Sequence, residues 1–114
     1  MEVQIRSRIW IEIEGIKWMG KGHVQLLTAI EKTGSLSGAS RLTGISYRKT
    51  WRLINQINKL AKHEVVHLQK GGSGGGGATV TPYGRKLLGF FNDLMGKSEA
   101  LLCQQLKKYK DLWK

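Results

Sequence analysis

The chain has 114 residues, 40% hydrophobic and 24% charged, a composition that is typical of one globular domain and excludes a disordered chain. It has no run of roughly eighteen apolar residues and no basic and apolar leader after Met1, which argues against a membrane span and a secretion signal. Its one cysteine, Cys103, cannot form an internal disulfide, and this indicates the cytoplasm. Nineteen Lys and Arg against eight Asp and Glu leave a net charge of +11, which favours a polyanionic partner such as DNA, RNA or an acidic membrane surface.

The first segment, residues 3–13, alternates apolar and polar side chains with a period of two. The apolar side chains of one parity are Val3, Ile5, Ile9, Ile11 and Ile13. Such a period is typical of a strand with one buried face. Glu14-Gly15 then predicts a tight turn, and residues 16–19 predict a second short strand that returns along the first.

A helical pattern begins after the glycines at positions 20 and 22. Val24, Leu27 and Ile30 recur every three residues, so the sequence predicts an amphipathic helix over residues 23–33. Gly34 is expected to end this helix, because glycine readily adopts the left-handed backbone conformation of a C-terminal cap.

Two further helices are predicted on either side of a glycine turn. Ser35 is a favourable N-cap for a short second helix. The residues of that helix expected to face inward are Leu36, Ala39 and Leu42. Gly44 marks the turn, and Ser46 can cap a third helix from Tyr47 to about Ala61. Two helices joined in this way indicate a helix-turn-helix.

The next segment predicts a β-hairpin, the wing, with a glycine-rich tip. Residues 65–68 are strand-like, residues 71–77 are six glycines and one serine, and residues 78–80 predict a second strand. Thr81 and Pro82 then open a last helix that is expected to run almost to the C-terminus, because threonine caps helices and proline suits their first position.

These elements predict an α+β fold, mostly α, of the winged helix-turn-helix kind. It comprises an N-terminal strand or hairpin, three helices, a β-hairpin wing and a long C-terminal helix. Residues 1–82 are assigned to the DNA-binding domain. Residues 83–114 are assigned to a C-terminal helix that serves dimerisation.

One face of the third helix carries a row of polar and basic side chains. Arg48, Arg52, Asn55 and Lys59 follow helical spacing, on the side opposite Leu53, Ile57 and Ala61. Such rows often do no more than keep a protein soluble. Here no acidic residue occurs from Arg41 to Lys62, whereas ordinary solvated helices mix charges of both signs.

Side-chain chemistry assigns roles within this row and in the wing. Arg recognises guanine and Asn recognises adenine through paired hydrogen bonds, while Lys more often meets phosphate. The residues predicted to contact bases or the groove are Ser46, Tyr47, Arg48, Lys49, Arg52 and Asn55. Those predicted to contact phosphate are Lys59, Lys70, Gly72, Ser73 and Gly74.

The glycine run allows two other interpretations. Residues 72–77 formally match the dinucleotide motif G-x-G-x-x-G, but no βαβ unit surrounds them and no Gly-Lys-Ser/Thr ends the run. The composition also resembles a flexible linker. The interpretation as a wing tip is favoured, because a bare backbone can approach DNA closely.

His63-Glu64-Val65-Val66-His67 is a formal H-E-x-x-H zinc motif. In a zinc protease this motif lies on a helix, which brings both imidazoles to one face. Here the segment is β-branched, and a strand would place the two histidines roughly 13 Å apart. No metal site and no cofactor are therefore predicted.

The last helix has an apolar stripe with spacings of three and four, typical of a coiled-coil seam. Its members predicted to form a dimer contact are Leu88, Phe91, Met95, Leu102, Leu106 and Tyr109. A stripe of this kind can also cover only its own core. The predicted length of roughly 45 Å exceeds what so small a domain needs, which favours pairing with a second copy.

The combined motifs resemble the N-terminal domain of the ModE-type molybdate-responsive regulators, which is similar to the winged helix of LysR-type regulators. The runs that carry this resemblance are Thr33–Ser37, Gly44–Arg48 with Trp51, Ile54–Leu60, Gly71–Ala78 and Thr81–Gly84. The resemblance implies a dimeric regulator whose third helix enters the major groove while its wing touches the flanking backbone. It also makes the glycine run part of the family pattern.

Two departures from that family matter. The family usually has a lysine within the glycine run, where this chain has Ser73, so one phosphate contact is expected either to be weaker or to be supplied by Lys70. Full-length members carry C-terminal oxyanion-binding domains, whereas this sequence ends at Lys114. The sequence therefore predicts a stand-alone form with no molybdate site, and no small-molecule effector is identified.

The sequence thus predicts a regulator that binds specific double-stranded DNA as a homodimer, with no enzymatic activity and no membrane partner. A protein-interaction module that keeps the fold without recognising bases is the main alternative. RNA is disfavoured because its major groove is deep and narrow.

Overall fold

The computed structural model describes residues 1–70 and 76–114; the wing-tip predictions at Gly72, Ser73 and Gly74 lie outside these residues. Two antiparallel hairpins and four α-helices make up the described chain. The elements are β1 (Ile11–Ile13), β2 (Ile16–Met19), α1 (Lys21–Thr33), α2 (Leu36–Thr43), α3 (Tyr47–Leu60), β3 (Val66–Leu68), β4 (Ala78–Val80), α4 (Pro82–Lys108) and a short 3₁₀ helix (Lys110–Leu112). This order confirms the predicted mostly-α winged helix.

The first hairpin forms as predicted only at its turn end. Glu14 and Gly15 both have positive φ angles, 51° and 77°, which matches the right-handed twist of a two-residue hairpin. The predicted strand over residues 3–13 is wrong before Ile11, where the chain has no regular secondary structure. Alternation alone does not make a strand: β2 has only four residues and pairs with no residue before Ile11.

The helix-turn-helix forms through local caps that match the predicted ones. Gly34 and Gly44 have φ angles of 74° and 77°, and each ends its helix. The hydroxyl of Ser35 accepts from the amide of Gly38 at 2.9 Å. The hydroxyl of Ser46 accepts from the amide of Lys49 at 3.1 Å. These contacts set where α2 and α3 begin.

One inward prediction for α2 is wrong. Leu36 and Ala39 are buried, but Leu42 is 57% exposed. Three residues advance a helix by about 300° rather than a full turn, so each step of three rotates the side chain by roughly 60°. Leu42 has consequently drifted out of the buried face.

The core lies where α1, α3, β2, the wing strands and the first half of α4 meet. Its large, fully buried side chains are Met19, Leu26, Leu27, Ile30, Ile54, Ile57, Val65, Val66, Val80 and Phe91. The buried indole of Trp18 in β2 donates to the carbonyl oxygen of Ile57 at 2.9 Å. The inner side of α3 is thus held by apolar packing and by one hydrogen bond from the first hairpin.

The start of α4 is packed tightly against the wing. The hydroxyl of Thr81 caps the helix at the amide of Gly84 and also lies 3.1 Å from the carbonyl oxygen of Val65. A Cβ atom at Gly84 would approach that same carbonyl oxygen to 2.5 Å. The glycine therefore allows the wing and α4 to meet.

α1 begins two residues before the predicted start, and the side chain of His23 explains why. Its Nδ1 atom accepts a hydrogen bond from the amide of Gly20 at 3.1 Å, so the imidazole satisfies a free amide at the helix start. Burial, together with the nearby charge of Lys17, lowers the pKa of His23 below its ordinary value of 6.5. The neutral imidazole is the form that the fold requires.

We expect the free energy of unfolding to fall as the pH drops below about 6.5. The unfolded chain protonates His23 there first, because the folded pKa is lower, so acid favours the unfolded state until the pH passes the folded pKa. Urea unfolding across a pH series measures the effect. In His23→Gln the amide oxygen replaces the acceptor without titrating, so its stability should depend less on pH; equal pH dependence in the two proteins would contradict this role.

Candidate nucleic-acid interface

α3 presents a cationic face to solvent, defined here as Arg48, Lys49, Arg52, Asn55 and Lys59. Its four cations are exposed and Asn55 is half-buried. The opposite side of the helix is buried at Thr50, Ile54 and Ile57. The helical spacing read from the sequence therefore places the candidate groove residues on one side, as predicted.

The cations of this face have no carboxylate partner among the described residues. The described residues form two ion pairs, His67 with Glu64 at 2.7 Å and Lys97 with Asp93 at 3.0 Å, and neither pair includes a residue of α3. Closely spaced like charges repel each other along a helix. The face therefore has an electrostatic preference for an anionic partner.

Asn55 is held in place by its own helix. Its side-chain amide donates to the carbonyl oxygen of Trp51 at 2.8 Å, which leaves one amide hydrogen and the Oδ1 atom for other partners. An amide with a fixed direction and a free donor and acceptor is what paired hydrogen bonding to adenine requires.

The remaining predicted contacts flank this face. Ser46 and Tyr47 lie exposed at the start of α3, and Lys70 lies exposed two residues after the end of β3. Ser46 uses its hydroxyl oxygen to cap the helix, so its local role is structural. The wing positions 72–74 are not part of the described chain, and their predicted phosphate contacts remain predictions.

Asn58, on the edge of α3, is a residue that the sequence analysis missed. Its Oδ1 atom accepts from the amides of Val65 at 2.8 Å and Val66 at 3.0 Å, and its amide donates to the carbonyl oxygen of Val66 at 2.8 Å. Asn58 thus joins the candidate recognition helix to the wing. The sequence contains one sign of this role: Asn58 is polar and directly follows Ile57, which lies on the inward side of α3.

The apolar stripe of α4 divides into two parts. Leu88 and Phe91 are buried in the core of this chain, so they are not free to form a seam with a second copy, and their predicted dimer contact is not supported. Met95, Leu102 and Leu106 are half-buried and Tyr109 is 48% exposed. The core ends near Met95, and beyond it the helix continues for about three and a half more turns.

The N-terminal segment lies beside this second half of α4. Residues 3–8 and the helix positions Glu99, Leu102, Cys103 and Leu106 line a cleft of about 640 Å³. The backbone of residues 1–9 makes no hydrogen bond to any residue that the structure describes. The end of the molecule away from the core therefore has apolar side chains and unpaired backbone groups side by side.

The described residues support neither the zinc nor the nucleotide interpretation, and most of the glycine run lies outside them. Residues 63–65 are not helical, and β3 begins at Val66. His67 contacts Glu64, while the ring of His63 meets the ring of Tyr83 edge-on with centroids 5.2 Å apart. No group of three potential metal ligands occurs in residues 1–70 and 76–114. β3 and β4 pair antiparallel, unlike the parallel strands of a dinucleotide-binding unit.

Comparison with known proteins identifies relatives of one kind, although no family model matches the chain. The transcriptional regulator ModE of Yersinia pestis is 42% identical over 84 residues, 74% of this chain and 32% of that protein. The molybdenum-pterin-binding protein MopB of Rhodobacter capsulatus is 40% identical over 84 residues, covering 74% and 31%. The DNA-binding transcriptional dual regulator ModE of Escherichia coli K12 is 41% identical over 69 residues, covering 60% and 26%.

The chain thus spans about a third or less of the length of these curated relatives. Across the described residues, none of the helices is long and apolar enough to cross a membrane. The relatives are named as regulators and molybdenum-binding proteins, not as enzymes. The chain is a homologue of the ModE/MopB molybdate-responsive regulators, and its mostly-α winged helix is consistent with a ModE-type N-terminal domain.

Proposed function

We propose that this chain is a transcriptional regulator that binds specific sequences of duplex DNA as a homodimer. The observation that carries the proposal is the cationic face of α3, which is exposed and unpaired within the described chain while the opposite side of the helix is buried. A helix anchored on one side and cationic on the other is suited to the major groove, which is about as wide as the helix.

The residue types divide the proposed contacts into two kinds. Arg48, Lys49, Arg52 and Asn55 contact base edges, because Arg matches guanine and Asn matches adenine. Lys59 and Lys70, with the wing, contact phosphates that set the orientation on the duplex. Asn58 keeps the wing at a constant distance from α3, so both kinds of contact form together.

The second half of α4 and the N-terminal segment support the dimer. Leu102 and Leu106 extend the apolar stripe beyond the core, where a second copy can cover it. Residues 1–9 offer backbone groups next to that stripe that make no hydrogen bond within the described chain, and such groups can pair with a second copy. A two-fold dimer would bring two recognition helices to one duplex.

The names of the relatives suggest what is regulated. They include molybdenum-pterin-binding and molybdenum transport proteins, so we propose that this chain acts in the cytoplasm on genes of molybdenum metabolism. We assign no molybdate site and no cofactor to the residues of this chain.

Selection of bound duplexes from a random DNA pool tests the proposal. We expect a two-fold symmetric site to emerge, with half-sites separated by about one helical turn, roughly 34–36 Å, or a multiple of it. An asymmetric enriched site would contradict the dimer, and a pool without any enriched site would contradict specific recognition.

A protein-interaction module is the second candidate. Exposed apolar side chains on α4, such as Phe90 and Leu101, both 55% exposed, favour it, because large exposed apolar surfaces mark interaction sites. Weak binding to all duplexes in the same selection, without sequence preference, would support this candidate over the first.

A further inference from the structure

Two aromatic side chains border the cationic face of α3. Tyr47 is 54% exposed and Trp51 is 52% exposed, and they lie one helical turn apart on the same edge. An indole that stays exposed does not gain the free energy that burying its apolar surface would provide. Neither ring takes part in an aromatic pair with another ring of the described chain, and about half of each side chain stays open to solvent.

Both rings face a shallow cleft of about 230 Å³ between the start of α2, α3 and the base of the wing. Its other lining side chains are Leu36, Ser37, Leu68 and Gln69. Trp51 lies one helical turn before Asn55 in α3, so its side chain and that of Asn55 are neighbours on the helix surface. A base that contacts Asn55 would therefore have its neighbour near the indole.

We propose that Trp51 is a specificity-determining residue that recognises thymine through its C5 methyl group. This inference rests on the proposed function, because it requires α3 to lie in the major groove. The methyl group of thymine is the apolar group that bases present in that groove. The charged and amide side chains of the cationic face recognise hydrogen-bonding atoms, and none of them offers the apolar surface that a methyl group prefers.

Contact with deoxyribose is the alternative use of an exposed indole on this edge. It would raise affinity for every sequence alike, because each nucleotide carries the same sugar. A methyl contact acts only where thymine occurs. Replacing thymine by uracil removes that methyl group and keeps every hydrogen-bonding atom of the base, so it distinguishes the two uses.

The experiment measures affinity for the duplex enriched in the selection above, with uracil in place of each thymine in turn. Losing one buried methyl group should weaken wild-type binding about fourfold at the contacted position. Trp51→Ala should bind the thymine duplex more weakly and should not respond to uracil at the contacted position. Trp51→Phe, which keeps an aromatic face, should retain part of the response. Leu42→Ala, which removes an exposed apolar side chain of α2, is the matched control and should behave as wild type.

The outcomes separate this inference from the proposed function. If wild type binds the enriched duplex equally with thymine or uracil at every position, the methyl contact is overturned while specific binding stands. If Trp51→Ala weakens binding but keeps the wild-type response to uracil, the indole contacts sugar and the inference is also overturned. A pool with no enriched duplex overturns both.

Discussion

Replacing Arg52 by Ala is expected to weaken binding to the selected duplex by about 1–3 kcal/mol, roughly 5- to 150-fold. Arg52 lies exposed in the middle of the cationic face, with no carboxylate partner among the residues that the structure describes. A guanidinium in that position can form two hydrogen bonds with guanine, and alanine can form none. The preference for one base pair of each half-site should be lost together with the affinity.

The measurement compares the Kd for the selected duplex with that for a scrambled duplex, at several salt concentrations. Lys70→Ala should weaken both duplexes alike and reduce the salt slope by about one, since it removes a phosphate contact. Lys86→Ala removes an exposed cation from α4 and serves as the matched control for net charge. If Arg52→Ala affected both duplexes equally, Arg52 would be a phosphate contact and not a base contact.

The features that could be predicted from sequence are those in which cause and effect lie close together along the chain. The caps at Ser35 and Ser46 each bond an amide three residues later, and Gly34 and Gly44 need only their own φ angles. The cationic face follows from helical spacing alone. These local patterns were sufficient to predict the helix-turn-helix and the placement of the cationic face, because neither depends on residues distant in the sequence.

The features that were missed or wrong depend on partners that the pattern does not specify. Residues 3–9 alternate as a strand does, but no strand of the described chain pairs with them. The stripe of α4 follows the same pattern of threes and fours in both halves of the helix, although Phe91 packs in the core of this chain and Tyr109 is exposed. Periodicity indicates which face is apolar but not which surface covers it.

Asn58 belongs to this second group, and its geometry is specific to the wing. The amide of Thr81 donates to the carbonyl oxygen of Val65, and that of Gln69 donates to Gly77. In an antiparallel pair this pattern makes Val66 and its partner Val80 a non-hydrogen-bonded pair. Both backbone polar groups of Val66 therefore point away from β4, and the side chain of Asn58 pairs with both of them.

Substituting Asn58 by Ala should lower the free energy of unfolding by about 2–4 kcal/mol. It removes three hydrogen bonds and leaves two amides and one carbonyl oxygen, all partly buried, without that partner; each such group costs roughly 1–3 kcal/mol, less where water reaches it. Alanine recovers at most about 0.7 kcal/mol through its higher helix propensity. The predicted loss is a large fraction of the stability of a small domain.

Urea unfolding followed by circular dichroism measures this loss, with Gln56→Ala as the matched control. Gln56 is an exposed amide on the same helix, so its replacement tests helix propensity without touching the wing and should change stability by less than about 0.7 kcal/mol. Equal stability of the two variants would mean that water replaces the contacts of Asn58 without loss. If Asn58 acts as proposed, Asn58→Ala should also lose affinity for scrambled and selected duplexes in the same proportion. Displacing the wing would remove contacts to phosphate, which every sequence presents, and no contacts to bases.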